Sequence, residues 1–395
     1  MSDVFADLVG QDEAVAILRR AADAADQVVR GGEVPAGAMT HAWLFTGPAG
    51  SGRSVAARAF AAALQCAEGG CGGCPACHTT LAGTHADVRF VVPDGLTISV
   101  AEMRSLVLRA ASSPTQGRWQ VLLVEDADRL TEAAANALLK AVEEPPPRTV
   151  FLLCTPSTHP DDISVTIRSR CRTVTLRQPA AEAVARVLTE RDGIDAETAL
   201  WAAAAAQGHV GRARRLARDE NARATRGAVL AIPRRLSSVG ACFDAAQSLI
   251  EAAEAEALAA TADRAERETE ELKTALGAGG TGRAAASATR GTQAQLKDLE
   301  RRQKSRATRA QRDALDRALV DLAGFYRDVL MLHLAAQVPL VHADISEVSR
   351  AAADRWTPEA TLRRIEAVLE CREAIEANVK PKIAVESMML SLWHG

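Results

Sequence analysis

Gly47-Pro48-Ala49-Gly50-Ser51-Gly52-Arg53-Ser54 has the spacing of a phosphate-binding loop, G-x-x-x-x-G-K-[ST], with one exchange. Arg53 stands where the motif has Lys. The apolar run Trp43-Leu44-Phe45 precedes the loop as a strand, and an Ala-rich run from Val55 to Leu64 follows as a helix. A strand, a Gly turn and a helix N-terminus aim backbone N–H groups at an anion. Lys is a compact charge on a flexible stem, whereas Arg is a broad planar fork. Arg53 can pair with a phosphate but not in the place a Lys ammonium takes. Gly47, Gly50, Ser51, Gly52, Arg53 and Ser54 are therefore candidate nucleotide-binding residues, with binding favoured over hydrolysis. The bland alternative is an ordinary Gly-rich turn.

A second constellation closes the apolar run Val121-Leu122-Leu123-Val124 with Glu125-Asp126. In phosphate-loop enzymes an Asp at such a strand end holds magnesium, and a neighbouring group positions the attacking water. Here the order of the acids is reversed. Glu125 is one methylene too long for the metal role and Asp126 one too short for the base. A displacement of about 1 Å can cost roughly a hundredfold in rate. A solvated strand end is the alternative.

The third constellation is Cys66, Cys71, Cys74 and Cys77, four thiols in twelve residues with Gly69, Gly70, Gly72 and Gly73 among them. Four thiolates suit tetrahedral zinc with no open position, which makes the site structural. Disulfides or a redox pair are the alternatives. Cys154, Cys171, Cys242 and Cys371 are scattered and read as small buried apolar residues.

These groups need elements to position them. Strands are expected at 41–46, 88–92, 120–125, 149–154 and 172–176. Helices are expected at 11–29, 53–65, 100–111, 131–143 and 161–168, the third opened by a capping box of Ser99 and Glu102. Apolar strands alternating with helices imply a parallel sheet covered on both faces, with ligands at the carboxyl ends of its strands. After Arg177 the strand signal stops. Residues 179–220 read as a small helical bundle, and everything from about 235 is helical. Leu315, Leu319, Leu322, Tyr326 and Val329 share one helix face. Glu251–Leu276 and Leu296–Leu322 form a charged helical hairpin. A Gly-rich stretch at about 277–292 interrupts it and reads as a flexible loop. Arg301, Arg302, Lys304, Arg306 and Arg309 form a basic run, read either as a solvated helix face or as a contact for DNA or another subunit.

Composition bounds the rest. The chain has 395 residues, enough for two or three domains, with a net charge of −3 that excludes a wholly basic nucleic-acid binder. One Tyr among 3% aromatics leaves no obvious stacking platform for single strands. With no signal-like leader and no apolar run of membrane length, a cytoplasmic protein without membrane contact is expected.

Together the motifs resemble the bacterial clamp-loader subunits of DNA polymerase III, within the AAA+ family. The resemblance is dense over residues 5–177. It runs through Phe5-Ala6-Asp7-Leu8-Val9-Gly10-Gln11, Thr40 to Thr46, the Gly loop, the cysteine insert, Asn136-Ala137-Leu138-Leu139-Lys140, Glu143-Glu144-Pro145-Pro146-Pro147, Phe151 to Thr155, and Thr166-Ile167-Arg168-Ser169-Arg170-Cys171. It weakens to about 220 and is faint beyond, although Asn378 to Leu390 is similar to the family's last helix.

The resemblance implies an α/β AAA+ P-loop sheet domain over 1–178, with a zinc module at 66–77. A helical lid over 179–230 and an all-α collar over 231–395 follow. It places Thr155 at the sensor 1 position and Gly211, rather than Arg212, at sensor 2. Motor subunits of the gamma or tau type carry Lys in the loop and Asp-Glu at the strand end; this chain departs at both. The non-motor branch is therefore implied, with little or no ATPase of its own, as part of the polymerase holoenzyme (a nucleotidyltransferase). Ser169 and Arg170 would then supply an arginine finger in trans to a neighbouring ATPase. The implied partners are gamma/tau and delta subunits, the sliding clamp and primer-template DNA, in a hetero-oligomer. The implied cofactors are structural zinc and at most weakly held ATP and magnesium. The rivals are an ATP-hydrolysing motor subunit and a zinc-bearing DNA-binding module.

Overall fold

The computed structural model describes residues 3–110, 113–275 and 285–395. The chain forms two compact units, Met1–Ala217 and Arg218–Gly395. The boundary falls inside the stretch expected to form a lid.

In the first unit, α1 (Asp12–Val29) leads into β1 (Ala42–Thr46), α2 (Arg53–Gln65), α3 (Pro75–Leu81) and β2 (Val88–Val91). There follow α4 (Val100–Ala110), β3 (Gln120–Val124), α5 (Glu132–Glu143), β4 (Thr149–Thr155), α6 (Val165–Arg168) and β5 (Arg172–Thr175). The helices α7 (Ala181–Glu190), α8 (Ala196–Ala205) and α9 (Val210–Arg218) close it.

The five strands make one parallel sheet in the order β2-β3-β4-β1-β5. Strand alternation splits the core between its faces. Trp43, Phe45, Val121, Leu123, Leu152 and Val174 lie in one buried cluster with α1 and α2 residues such as Leu18 and Phe60. Leu44, Leu122, Val124, Phe151 and Leu153 lie in another with Met103 and Leu138 of α4 and α5. Both faces are covered, as the apolar runs require. From β1 the chain crosses to one edge of the sheet, and from β4 to the other. The neighbouring carboxyl ends of β1 and β4 thus form the switch point where such sheets hold ligands.

The expected strands are present with shifts of a residue or two at their ends. Ser99 and Glu102 cap α4 reciprocally: the Glu102 N–H donates to Ser99 Oγ (3.3 Å), and the Ser99 N–H donates to Glu102 Oε2 (2.8 Å). The helix expected at 161–168 is cut to Val165–Arg168. The chain before it turns at His159, whose carbonyl accepts the Asp162 and Ile163 N–H groups, and Ser164 then caps the helix.

The second unit is helical: α10 (Glu220–Arg235), α11 (Val239–Ala275), α12 (Ala285–His333), α13 (Ser346–Arg355), α14 (Pro358–Glu376) and α15 (Pro381–His394). Leu315, Leu319, Leu322, Tyr326 and Val329 are fully buried in its core, with Met389 of α15 beside them. The last helix begins at Pro381 rather than at Asn378. Asn378 takes a left-handed φ of 67°, and Pro381 occupies the first turn. Helices α11 and α12 pair as the expected hairpin. Its Gly-rich stretch lies partly outside the described residues, and α12 already begins at Ala285, because Ala285-Ala286 are strong helix formers. No described helix is long and apolar enough to cross a membrane.

Candidate functional site

The phosphate-type loop follows β1 at the switch point. The Gly47 N–H donates to the Pro156 carbonyl (3.1 Å), tying the loop to the exit of β4. Gly47 and Gly50 are required where they stand. A Cβ on Gly47 would lie 2.4 Å from the Leu176 carbonyl oxygen, and one on Gly50 would lie 2.7 Å from the His209 Cβ. Gly52, at a left-handed φ of 90°, starts α2 with no side-chain cap on the helix N–H groups. Gln11 is almost fully buried and clamps the loop: its Nε2 donates to the carbonyls of Ser51 (3.2 Å) and Arg177 (2.6 Å).

The loop fits an anion. Arg53 Nη1 and Ser51 Oγ are both buried without a hydrogen-bond partner, and an unpaired buried donor is costly unless an acceptor arrives. The acids opposite do not fit a magnesium ion. Arg58 of α2 donates from Nε (3.0 Å) and Nη2 (2.8 Å) to the same oxygen of Glu125. The Arg58 guanidinium also lies over the Phe90 ring, 4.6 Å from its centroid. Glu125 is thus neutralised from within the chain at the place where a metal carboxylate is required. Asp126 sits in a left-handed turn, φ 51°, after the strand. Burial raises the Asp128 carboxyl above the usual range, Asp126 adds to this, and the Arg53 charge pulls it back. Burial also raises the thiol of Cys154 on β4, whose surroundings include Glu125, Arg53, Asp126 and Arg58. Thr155 is fully buried, and its Oγ1 donates to the Ser157 carbonyl (2.8 Å). The loop, Glu125, Asp126 and Thr155 therefore gather at the carboxyl ends of β1, β3 and β4. Ser54 lies in the first turn of α2, half-buried.

Ser169 and Arg170 stand apart from this group, at the end of α6. Arg170 pairs with Glu143 of α5 (2.7 Å) and donates from Nη1 to the Thr166 carbonyl (2.8 Å). Both partners of the pair are exposed, at 38% and 44%. Ser169 Oγ donates to the same Thr166 carbonyl (3.0 Å). In the last helix of this unit Gly211 sits one turn after the Gly208–His209 corner, within 3.3 Å of the His209 ring for an added Cβ.

The four cysteines of the insert come together. Their sulfurs all lie within 4.8 Å of one another. Cys66 ends α2 and Cys74 caps α3, its sulfur accepting the Cys77 N–H (3.4 Å). The Glu68 and Cys71 N–H groups donate to Cys66 Sγ at 3.3 and 3.4 Å. Burial pushes the Cys66 thiol up, but the N–H groups of Cys71, Glu68 and Gly70 outweigh it and bring the thiol down to about 7. Gly70 packs against Val4, where a Cβ would come within 2.6 Å. Four convergent sulfurs with N–H···S support form a donor set that can hold a metal ion. Of the scattered cysteines, Cys154, Cys242 and Cys371 are buried as expected, and Cys171 is half-buried.

Arg58, Gln11 and His209 were not singled out from sequence as site residues. Arg58 had a signal: it is a lone cation within the Ala-rich buried run of α2, five residues after Arg53.

Residues 31–180 match the family model described as DNA polymerase III, delta subunit, and residues 308–394 match the one described as DNA polymerase III, delta subunit, C terminal. Both stretches are thus similar to delta-type subunits of DNA polymerase III. It is similar to the DNA polymerase III subunit delta' of Bacillus subtilis, 34% identical over 157 residues, 39% of this chain and 47% of the relative. It is 42% identical to the delta' subunit of Pseudomonas aeruginosa over 137 residues, 33% of this chain and 41% of the relative. It is 37% identical to the gamma/tau subunit of Mycobacterium tuberculosis over 171 residues, 42% of this chain and 27% of the relative. The matched stretches span less than half the length of each of these relatives.

Proposed function

We propose that the chain is the non-motor, delta prime subunit of a DNA polymerase III clamp loader, acting in a cytoplasmic hetero-oligomer. Its partners are gamma/tau and delta subunits, and together they load the sliding clamp on primer-template DNA. Its own nucleotide site is a scaffold, and it contributes Arg170, oriented by Ser169, to the γ-phosphate held by a neighbouring motor subunit. Residues 179–230 serve as the lid and 231–395 as the collar. The cysteines hold one structural zinc, which fixes the N-terminal segment to α2 and α3 and takes no part in the chemistry.

The observation that carries this reading is the Arg58–Glu125 pair. A carboxylate with a guanidinium on one oxygen and no Asp-Glu order beside it is a poor magnesium ligand. Arg53 adds the loss of the loop Lys. The anion-ready loop is compatible with weak nucleotide binding, while the exposed Arg170 is free of that site and available to another subunit. Relatives named gamma/tau and delta' match the chain at similar identities, so identity alone does not separate them; the loop Arg53 and the Arg58–Glu125 pair support the non-motor reading. Steady-state ATPase of the isolated chain tests the reading. Turnover at background is expected. Clear turnover that Arg53→Ala abolishes would establish the motor subunit instead.

A further inference from the structure

The hairpin formed by α11 and α12 contains a long segment that neither family match covers: residues 181–307 lie between them. Beyond Ala257 on α11, and before Ala314 on α12, no described residue of the two helices is buried. Polar contacts hold this part together. Gln303 Nε2 donates to the Ala265 carbonyl (3.0 Å) and Thr269 Oγ1 (3.2 Å), and Arg306 pairs with Glu268 (3.0 Å). Arg317 pairs with Glu256 (2.9 Å), and Gln311 Nε2 donates to Glu254 (3.0 Å). The two helices carry opposite charge. Glu251–Ala275 holds eight acids and three bases, whereas Gln295–Arg312 holds seven bases and two acids. Such a helix pair adds no core, so its value to the protein lies in its surface.

The basic run divides by partner. Arg302 pairs with Asp298, Arg306 with Glu268 and Arg309 with Asp313. Lys297, Arg301 and Lys304 are exposed and have no partner among the described residues. At 100° per residue they share the face of α12 opposite Gln303 and Arg306, two of the residues that contact α11. Glu300 flanks this stripe and Asp298 is taken up by Arg302. The three cations span about 10 Å of helix axis, over which one strand of duplex DNA presents about three phosphates. The stripe has no apolar side chain, and no aromatic residue occurs between Phe243 and Phe325. It therefore lacks the buried anchors of a protein interface and the stacking platform that single strands use. What it offers is positive charge at phosphate spacing.

We infer that Lys297, Arg301 and Lys304 on this face of α12 dock the phosphate backbone of duplex nucleic acid without reading its sequence. This surface is distinct from the nucleotide-type loop and from Arg170, and it stands whether or not the proposed function does. The test is fluorescence anisotropy of a labelled mixed-sequence duplex DNA with the full chain, in salt from about 50 to about 200 mM. Replacing all three residues by Gln is expected to weaken binding at least about tenfold at the lowest salt and to lower the slope of log affinity against log salt by about 2.7. The triple exchange Lys297→Arg, Arg301→Lys, Lys304→Arg retains both. Each single Gln variant lowers the slope by about 0.9, which serves if the triple variant loses helicity. Three results would overturn the inference: no duplex binding by the native chain, an unchanged slope in the Gln variants, or equal binding of poly-glutamate, which would assign the stripe to an acidic protein.

Discussion

Arg53 and Arg58 lie five residues apart on one helix, and in the proposed reading they disable the site from two sides. Arg53 replaces the loop Lys, and Arg58 occupies the carboxylate that magnesium would need. Restoring the loop alone should therefore not restore catalysis. Arg53→Lys is expected to change nucleotide affinity by no more than about tenfold and to leave turnover of the isolated chain at background, because each missing transition-state contact costs about two powers of ten or more. Measurable turnover in that variant would show that Glu125 can serve the metal after all. Arg170 poses the opposite case. Its pair with Glu143 is exposed, and such pairs contribute about 0.2–1 kcal/mol. The guanidinium can leave Glu143 for a stronger anion at little cost. Glu143→Gln should leave thermal stability within about 2 °C of the native chain. A larger loss would mean that Arg170 is a structural residue.

Local spacing makes the loop, the cysteine cluster and the strand pattern legible in the sequence. Those features repeat within a dozen residues, and the chemistry follows from the residue types. The Arg58–Glu125 pair was not legible, because 67 residues separate its members and only the β1–β3 sheet order brings α2 over the β3 end. The helix expected at 161–168 starts four residues late, since Ser164 rather than hydrophobic period sets its start. At this scale Asp87 gives a test by pH. Burial alone would raise its carboxyl, but N–H groups of Thr115, Gln116 and Gly117 and the Thr115 hydroxyl hold it down at about 2. Its folded value lies below its unfolded one of about 4, so its contribution is full above about pH 4 and is lost as the pH falls through about 2. Urea denaturation should show roughly 2 kcal/mol from this group between those values, and Asp87→Asn should flatten the acid limb. An unchanged limb would place the acid sensitivity elsewhere. The insert gives a second test. Metal analysis should find about one zinc per chain, and Cys74→Ser should lose it and lower the first unit's melting midpoint by about 6–12 °C, as a loss on the order of 3 kcal/mol predicts. A metal-free native protein with readily alkylated thiols would contradict the site.

The whole molecule joins an α/β unit that holds the phosphate-type loop, the cysteine cluster and Arg170 to a helical unit with its own core. Calorimetry should resolve two transitions, with zinc removal moving only that of the α/β unit. A single transition that shifts as one would mean that the units fold cooperatively. The central claim is that catalysis depends on what this chain gives its neighbour, not on its own loop. Steady-state ATPase of the reconstituted, DNA-stimulated loader tests it most directly, with Arg170→Ala and Arg53→Ala compared side by side. The account predicts that Arg170→Ala lowers turnover at least about tenfold, as loss of an arginine finger would, while Arg53→Ala leaves it unchanged. Turnover that falls with Arg53→Ala and survives Arg170→Ala would contradict the account.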